Sequence, residues 1–143
     1  MRVADLLRTK GSEVATVPPK VSVTGLLEDL ARYNVGALVV VDSSGALVGI
    51  VSERDVVRQL NERGAELLTR PVEEIMTTDV VTCGPTDAVD SLAEVMTQRR
   101  VRHMPVVDGG RLVGLVSIGD VVKSRIEQLE SDREQLESYI AQG

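Results

Sequence analysis

The spacing of apolar residues along the first half of the chain predicts a regular series of elements. Around 23–31 the apolar residues recur every three or four positions with charged residues between them, as on an amphipathic helix. Two short, continuous apolar runs follow, separated by a polar turn, and they predict neighbouring strands. The predicted elements are an extended lead at 14–17, a helix at 23–31, strands at 37–41 and 47–51, and a helix from Ser52 to about Leu60.

One segment of this pattern returns almost unchanged. The sequence GALVGIVSERDVV at 45–57 reappears as GRLVGLVSIGDVV at 110–122, with nine of thirteen positions identical. A repeat of about sixty residues is longer than common solenoid units, so it indicates a duplicated domain. The second copy is predicted to contain a helix at 89–98, strands at 104–107 and 112–116, and a helix from Ser117.

The repeat divides the chain into a first unit at 1–66, a second unit at 67–126 and an unmatched tail at 127–143. A unit of this size is marginal alone, since it buries only about 60% of its unfolded surface. We therefore expect one body of the α+β (α/β) class, in which two units pack with pseudo-two-fold symmetry. The segment 66–76 between them is predicted to be a helix broken at Pro71.

Composition and charge exclude several classes of function. A net charge of −6 argues against a nucleic-acid partner, because phosphate contacts require a basic face. The chain has no apolar run of eighteen residues, and no signal peptide is recognised, so a cytoplasmic protein without a membrane partner is expected. One histidine, one cysteine and no glycine-rich phosphate loop predict no enzyme, no metal site and no catalytic cofactor. Because Phe and Trp are absent, aliphatic side chains would have to hold any flat ligand.

A serine followed three residues later by an aspartate opens the last helix of each copy, at Ser52 and Asp55 and again at Ser117 and Asp120. One interpretation is a capping box, in which the hydroxyl and the carboxylate each accept a backbone N–H bond. The other is a ligand site, in which the helix N-terminus faces a phosphate and the carboxylate binds a ribose cis-diol. The residues alone leave both interpretations open.

Basic residues accompany these helix starts. Arg54 lies in the first turn of one helix, and Arg102 and His103 lie where the apolar strand of the second copy begins. Donors beside a segment that should be buried are placed to bind an anion. Arg99 and Arg100 have a simpler explanation, because cations are favoured at the C-terminal end of a helix.

In both copies, over residues 1–126, the chain resembles tandem cystathionine-β-synthase (CBS) domain proteins. The motifs that carry the resemblance are Gly49–Asp55, Gly114–Asp120 and Arg102–Asp108. The resemblance implies two β-α-β-β-α units packed through their sheets, enclosing two clefts for adenosine ligands. It implies a regulatory module that responds to AMP, ADP, ATP or NAD and acts on an unknown regulated protein.

The resemblance also implies roles for individual residues. Asp55 and Asp120 would hold ribose hydroxyls, and the motif serines would contact the sugar or the phosphate. Arg102 and His103 would meet phosphates, with Arg54 as a further donor. The adenine borders would be Thr16, Val17, Pro18, Ala37, Leu38, Thr82, Cys83, Met104 and Pro105. The alternative function is a structural or oligomerisation adaptor in which both motifs only cap helices.

The two copies differ at the residues expected to bind phosphate. Gly36-Ala37 in the first copy corresponds to Arg102-His103 in the second, and Gly119 replaces Arg54. The two clefts are therefore predicted to differ in phosphate affinity.

The tail continues the last helix as an amphipathic segment without Gly or Pro over 121–142. Four apolar residues follow an a/d register, and Arg133 interrupts it at an a position. A stable coiled coil needs more heptads than this stripe contains. The stripe could pack on a sister subunit, on its own chain or on a separate partner, and a homodimer is the predicted state. The residues are Ile126, Leu129, Leu136 and Ile140.

Overall fold

The helices and strands follow one another in two similar series, as the duplication predicts. The computed structural model describes residues 1–11 and 13–142. Its elements are α1 (Val3–Lys10), β1 (Thr16–Val17), α2 (Val23–Tyr33), β2 (Ala37–Val41), β3 (Leu47–Ser52), α3 (Glu53–Arg63), α4 (Val89–Arg99), β4 (His103–Asp108), β5 (Arg111–Ser117) and α5 (Ile118–Gln142). The predicted α+β class is confirmed.

Two small sheets carry the strands. In the first sheet, β2 pairs in parallel with β1 and antiparallel with β3. In the second, β4 pairs antiparallel with β5. The lead of the second copy forms only a single parallel bridge, between Cys83 and Val106. The backbone leaves the sheet at Gly84, whose N–H donates to the Asp87 side chain at 2.8 Å, so the leading strand expected in this copy is reduced to one residue pair.

Local signals mark the ends of helices α2 and α4. Helix α2 begins after Ser22, whose Oγ accepts a bond from the Gly25 N–H at 3.0 Å. It ends at Asn34, which adopts the left-handed conformation with φ of 52°. Helix α4 ends at Arg100 with φ of 54°, an uncommon conformation for a residue other than glycine. This turn leads the chain directly into β4.

Each of the two hydrophobic cores includes apolar residues from the segment that precedes the lead of the other copy. Helix α1 packs into the core of the second copy, where the Val3 N–H donates to the Asp87 carbonyl at 2.9 Å. The linker between the copies packs into the core of the first, where the Val72 N–H donates to the Val21 carbonyl at 2.8 Å. The exchanged core residues are Val3, Leu6 and Leu7 from α1, and Leu67, Val72 and Ile75 from the linker.

The linker differs from its prediction. It contains two short 3₁₀-helices, Gly64–Thr69 and Val72–Glu74, rather than one broken α-helix. The break at Pro71 is as predicted. The tighter turn follows from bonds such as that from the Arg70 N–H to the Leu67 carbonyl at 2.9 Å, while the apolar linker residues enter the core.

The last helix of the second copy and the tail form one continuous helix, α5. Its buried positions are Val121 and Ser124, near its start, and every described residue after Ser124 is exposed. In the described structure at least half of each stripe residue therefore stays uncovered by its own chain. Among the same residues, no helix is both long enough and apolar enough to cross a membrane.

Candidate functional site

Each Ser-x-x-Asp motif forms a capping box at the start of its helix. The Ser52 N–H donates to Asp55 Oδ2 at 2.8 Å, and the Asp55 N–H donates to Ser52 Oγ at 3.3 Å. In the second copy the corresponding bonds between Ser117 and Asp120 measure 2.8 and 3.1 Å. The capping interpretation is therefore confirmed in both copies.

The capping box uses only part of the Asp55 carboxylate. The bonds from the Ser52 N–H and hydroxyl both go to Oδ2, at 2.8 and 3.0 Å. Within the described chain, no donor reaches Oδ1 of this half-buried residue. Because each carboxylate oxygen can accept more than one bond, Asp55 can cap its helix and still bind hydroxyl groups. Capping and ligand binding are compatible here.

Asp55 lies in a cleft of about 390 Å³, which we name the Asp55 cleft. This volume is within the usual range for small-molecule sites. Predicted site residues from both copies meet here: Ala37, Ser52, Arg54, Asp55, Arg102 and His103. The other lining residues are Gly36, Ile50, Glu53, Arg58, Thr77, Asp79, Val80, Val81, Arg100, Val101 and Ile118.

The Asp55 cleft is more basic than the chain as a whole. Four arginines and three acids line it, whereas the whole chain carries a net charge of −6. Guanidinium groups bind phosphate oxygens through paired, charge-assisted hydrogen bonds. The cleft thus combines donors for an anion with aliphatic walls. The arginines are Arg54, Arg58, Arg100 and Arg102, and the acids are Glu53, Asp55 and Asp79.

His103 lies half-buried at the start of β4, close to both copies' motifs. Burial is the main cause that lowers its pKa below the ordinary value, and Lys10 and Arg102 act in the same direction. Asp120 and Glu53 oppose this shift. The lowered pKa means that the imidazole is largely neutral at pH 7.

The corresponding corner of the second copy contains a cation from the chain itself. The Lys10 ammonium pairs with Asp120 Oδ2 and donates to the Leu115 carbonyl at 2.6 Å. Burial would raise the pKa of Asp120, but Lys10 and the Ser117 donors outweigh it and hold this pKa below its usual value. We name Leu115, Ser117 and Asp120 together the Asp120 corner.

The other residues expected to border an adenine lie outside the Asp55 cleft. Five of them are buried: Val17, Leu38, Cys83, Met104 and Pro105. Pro18 and Thr82 are exposed. Thr16 lies beside the two hairpin turns. The reason is that each lead runs alongside a strand, as at Cys83 and Val106, and turns its side chain into the core. The residues of this segment that line the Asp55 cleft come just before Thr82, at Thr77, Asp79, Val80 and Val81.

Arg58 and Thr77 are two of the lining residues that were not predicted from the sequence. Arg58 had a signal, because it follows Arg54 by four positions and so shares its face of α3. No sequence signal of comparable strength pointed to Thr77. It enters the cleft because its backbone pairs with Ile50, with N–H to O distances of 2.9 and 3.0 Å.

Known proteins share this architecture. A family model for the CBS domain matches residues 3–62 and again 72–127. The CBS domain-containing protein CBSX3 of Arabidopsis thaliana is 32% identical over 149 aligned positions, covering 99% of this chain and 72% of that protein.

Solved structures agree with the sequence comparisons. The CBS-domain protein ATU1752 from Agrobacterium tumefaciens is 45% identical, with a TM-score of 0.86, covering 87% of this chain and 99% of that one. The CBS domain pair of MJ0100, solved with 5′-methylthioadenosine and S-adenosyl-L-methionine, is 29% identical with a TM-score of 0.80, covering 90% and 98%. The chain therefore belongs to the CBS domain family and carries two CBS domains in tandem.

Proposed function

We propose that the chain is a non-catalytic regulatory module that binds a phosphate-bearing adenosine ligand, such as AMP, ADP, ATP or NAD, in the Asp55 cleft. One observation carries this proposal: a carboxylate with an unused oxygen shares the cleft with four arginines. Binding of the ligand then changes how the chain acts on a regulated protein or on a dimer partner.

Each part of an adenosine nucleotide has a matching group in the Asp55 cleft. The ribose hydroxyls donate to Asp55 Oδ1, which the capping box leaves accessible. The adenine lies between aliphatic side chains, such as those of Ile50 and Val81, since no Phe, Tyr or Trp lines the cleft. The phosphates receive bonds from the guanidinium groups.

The charge of the cleft favours a nucleotide over the ligands of the MJ0100 pair. That pair was solved with a sulfonium compound and with 5′-methylthioadenosine, which has no phosphate. Arginines in excess over acids attract a phosphate and disfavour a sulfonium cation. We therefore expect AMP or NAD to bind more tightly than either of those ligands.

The position of the cysteine supports a role without catalysis. Cys83 is a buried core residue, and burial, aided by the nearby Asp87, raises the pKa of its thiol to about 11. A thiol of this kind stays protonated at neutral pH and is a poor nucleophile.

A structural adaptor is the second candidate, and the two complete capping boxes are the observation that favours it. In that role Asp55 and Asp120 would stabilise their helices and no nucleotide would bind. In this interpretation each helix cap contributes about 0.5–2 kcal/mol to the free energy of unfolding.

Isothermal titration calorimetry with AMP, NAD and S-adenosyl-L-methionine separates the two candidates. We expect Asp55→Asn to weaken AMP binding by about tenfold to a hundredfold, because bonds to a charged acceptor contribute about 1.5–3 kcal/mol. The matched control is Asp87→Asn. Its carboxylate also accepts a local backbone bond, from Gly84 at 2.8 Å, but it lies outside the Asp55 cleft.

The outcomes are distinct. Loss of AMP affinity in Asp55→Asn but not in Asp87→Asn supports the nucleotide site. No heat of binding in the wild type, together with similar losses of thermal stability in both variants, supports the adaptor.

A further inference from the structure

The Asp120 corner contains an ion pair, whereas no described residue forms an ion pair with Asp55. The Lys10 ammonium contacts two of the polar groups in this corner, the Asp120 carboxylate and the Leu115 carbonyl, the latter at 2.6 Å. These partners lie more than a hundred residues from Lys10 along the chain. The pair is only partly exposed, with 35% of the Lys10 side chain and 23% of the Asp120 side chain accessible.

Helix α1 fixes the position of this ammonium. Leu7 packs directly on the backbone of β5 at Gly114, where an added Cβ would lie 2.7 Å from Leu7 Cδ2. Lys10 follows Leu7 by three residues and therefore lies on the same face of α1. The packing of Leu7 thus directs Lys10 toward the end of β5.

The first copy has the same packing but no equivalent cation. Met76 packs on Gly49 as Leu7 packs on Gly114, with a would-be Cβ 2.6 Å from Met76 Sδ. Beyond Met76 the chain is not a helix, and the Thr77 N–H donates to the Ile50 carbonyl at 2.9 Å. The third residue after Met76 is Asp79, an acid that cannot pair with Asp55.

The geometry points to Lys10 as the residue that blocks the Asp120 corner and limits the chain to one adenosine ligand, bound in the Asp55 cleft. This inference rests on the proposed function. The Ser117 N–H and the Lys10 ammonium both bond to Asp120 Oδ2, so the two copies do not differ in which carboxylate oxygen is used. They differ in that the Lys10 ammonium contacts both the Asp120 carboxylate and the Leu115 carbonyl, and so neutralises the acid of this corner. A ribose diol offers only neutral hydrogen bonds and would have to displace a charge-assisted bond of roughly twice their strength. The duplicated motif therefore provides one open site and one internally occupied site.

Calorimetric titration of the whole chain with AMP tests this inference by stoichiometry. We expect one AMP per chain for the wild type and two for Lys10→Ala. Removal of Lys10 should raise the affinity of the Asp120 corner for AMP by about tenfold or more. Adding Asp120→Asn to Lys10→Ala should remove the second site again. Lys10→Arg, which keeps the cation, should bind one AMP.

Lys20→Ala is the matched control, because Lys20 also forms an ion pair, with Glu73, but outside both sites. It should bind one AMP, like the wild type. Circular dichroism of each variant verifies that helix content is retained, and alanine at Lys10 preserves helix propensity.

Three results would overturn the inference, and they differ from each other. Two AMP per wild-type chain would mean that Lys10 does not block the corner. One AMP per chain in Lys10→Ala would mean that something else blocks it, and in both cases the proposed function stands. No AMP binding by any protein would reject the proposed function and the inference with it.

Discussion

Gly49 in β3 and Gly114 in β5 set how closely Met76 and Leu7 approach these strands. A Cβ at Gly49 would lie 2.6 Å from Met76 Sδ and 3.0 Å from the Thr77 carbonyl oxygen. Met76 is flexible, but the Thr77 oxygen belongs to a backbone that is bonded to Ile50 and lines the Asp55 cleft. A side chain at Gly49 must therefore displace the linker.

We expect Gly49→Ala to lower the free energy of unfolding by about 1–3 kcal/mol, the usual cost of overpacking a close contact. Gly36→Ala is the control of equal size, because its Cβ would make only ordinary van der Waals contacts, with Glu53 from 3.5 Å and with His103 at 3.9 Å. Its stability should change by less than about 0.5 kcal/mol. Urea unfolding measures both. Equal losses in the two variants would contradict the role of the Gly49 contact.

His103 makes the folded protein sensitive to weakly acidic pH. Its folded-state pKa is lowered, chiefly by burial and then by Lys10, so below about pH 6.5 the unfolded chain binds the proton more readily than the folded one. Stability is therefore fully present above about pH 6.5 and is lost as the pH falls below it. Asp120 does not contribute to this range, because its lowered pKa places its titration in stronger acid.

Replacement of His103 isolates this effect. We expect the free energy of unfolding of the wild type to fall between about pH 7.5 and pH 5.5. In His103→Gln the decrease should be smaller. Chemical denaturation at both pH values provides the measurement, and parallel decreases in the two proteins would show that another group titrates.

At the scale of elements, α5 presents an apolar stripe that the described chain does not cover. The exposed fractions are 51% for Ile126, 52% for Leu129, 60% for Leu136 and 68% for Ile140. The homodimer predicted from the a/d register would cover them, and it remains a prediction.

We expect the double variant Leu129→Glu, Leu136→Glu to convert this dimer to a monomer, because charges at d positions oppose an apolar seam. The nucleotide affinity of each chain should not change, since neither residue lines the Asp55 cleft. The control adds the same charges to the opposite face, as Ser131→Glu with Ser138→Glu. Light scattering after gel filtration measures the mass, and a monomeric wild type would contradict the homodimer prediction.

At the scale of the whole molecule, the two copies are interdependent because α1 packs into the second core and the linker packs into the first. The first core uses the linker residues Leu67, Val72 and Ile75, which follow the first sequence unit of 1–66. A fragment that ends at residue 66 therefore lacks part of its own core. A fragment of 13–76 has every residue of that core.

We expect the fragment 13–76 to be more structured than the fragment 1–66, although both have nearly the same length. The burial of the linker residues supplies the difference, at about 1.5–3 kcal/mol for each large apolar side chain. Amide chemical-shift dispersion and hydrogen exchange compare them. Equal disorder in the two fragments would show that the second copy is needed as a whole.

The sequence could predict those features of the fold that depend on near neighbours. The strand and helix positions follow from periodicity, and both capping boxes follow from a spacing of three residues between Ser52 and Asp55 and between Ser117 and Asp120. The differences between the copies, such as Gly119 in place of Arg54, predict unequal phosphate affinity of the two clefts, and this stays a prediction.

The tertiary structure decided which residues meet across the chain. The family resemblance implies Thr82 and Cys83 as borders of an adenine. Pairing of the lead with β4 turns Cys83 into the core, and Thr77 is among the residues that line the cleft instead. Nothing in the local pattern relates Lys10 to Asp120, which lies 110 positions away. Periodicity reports which face of an element is apolar. It does not report which other element covers that face, because that choice depends on how all the elements pack at once.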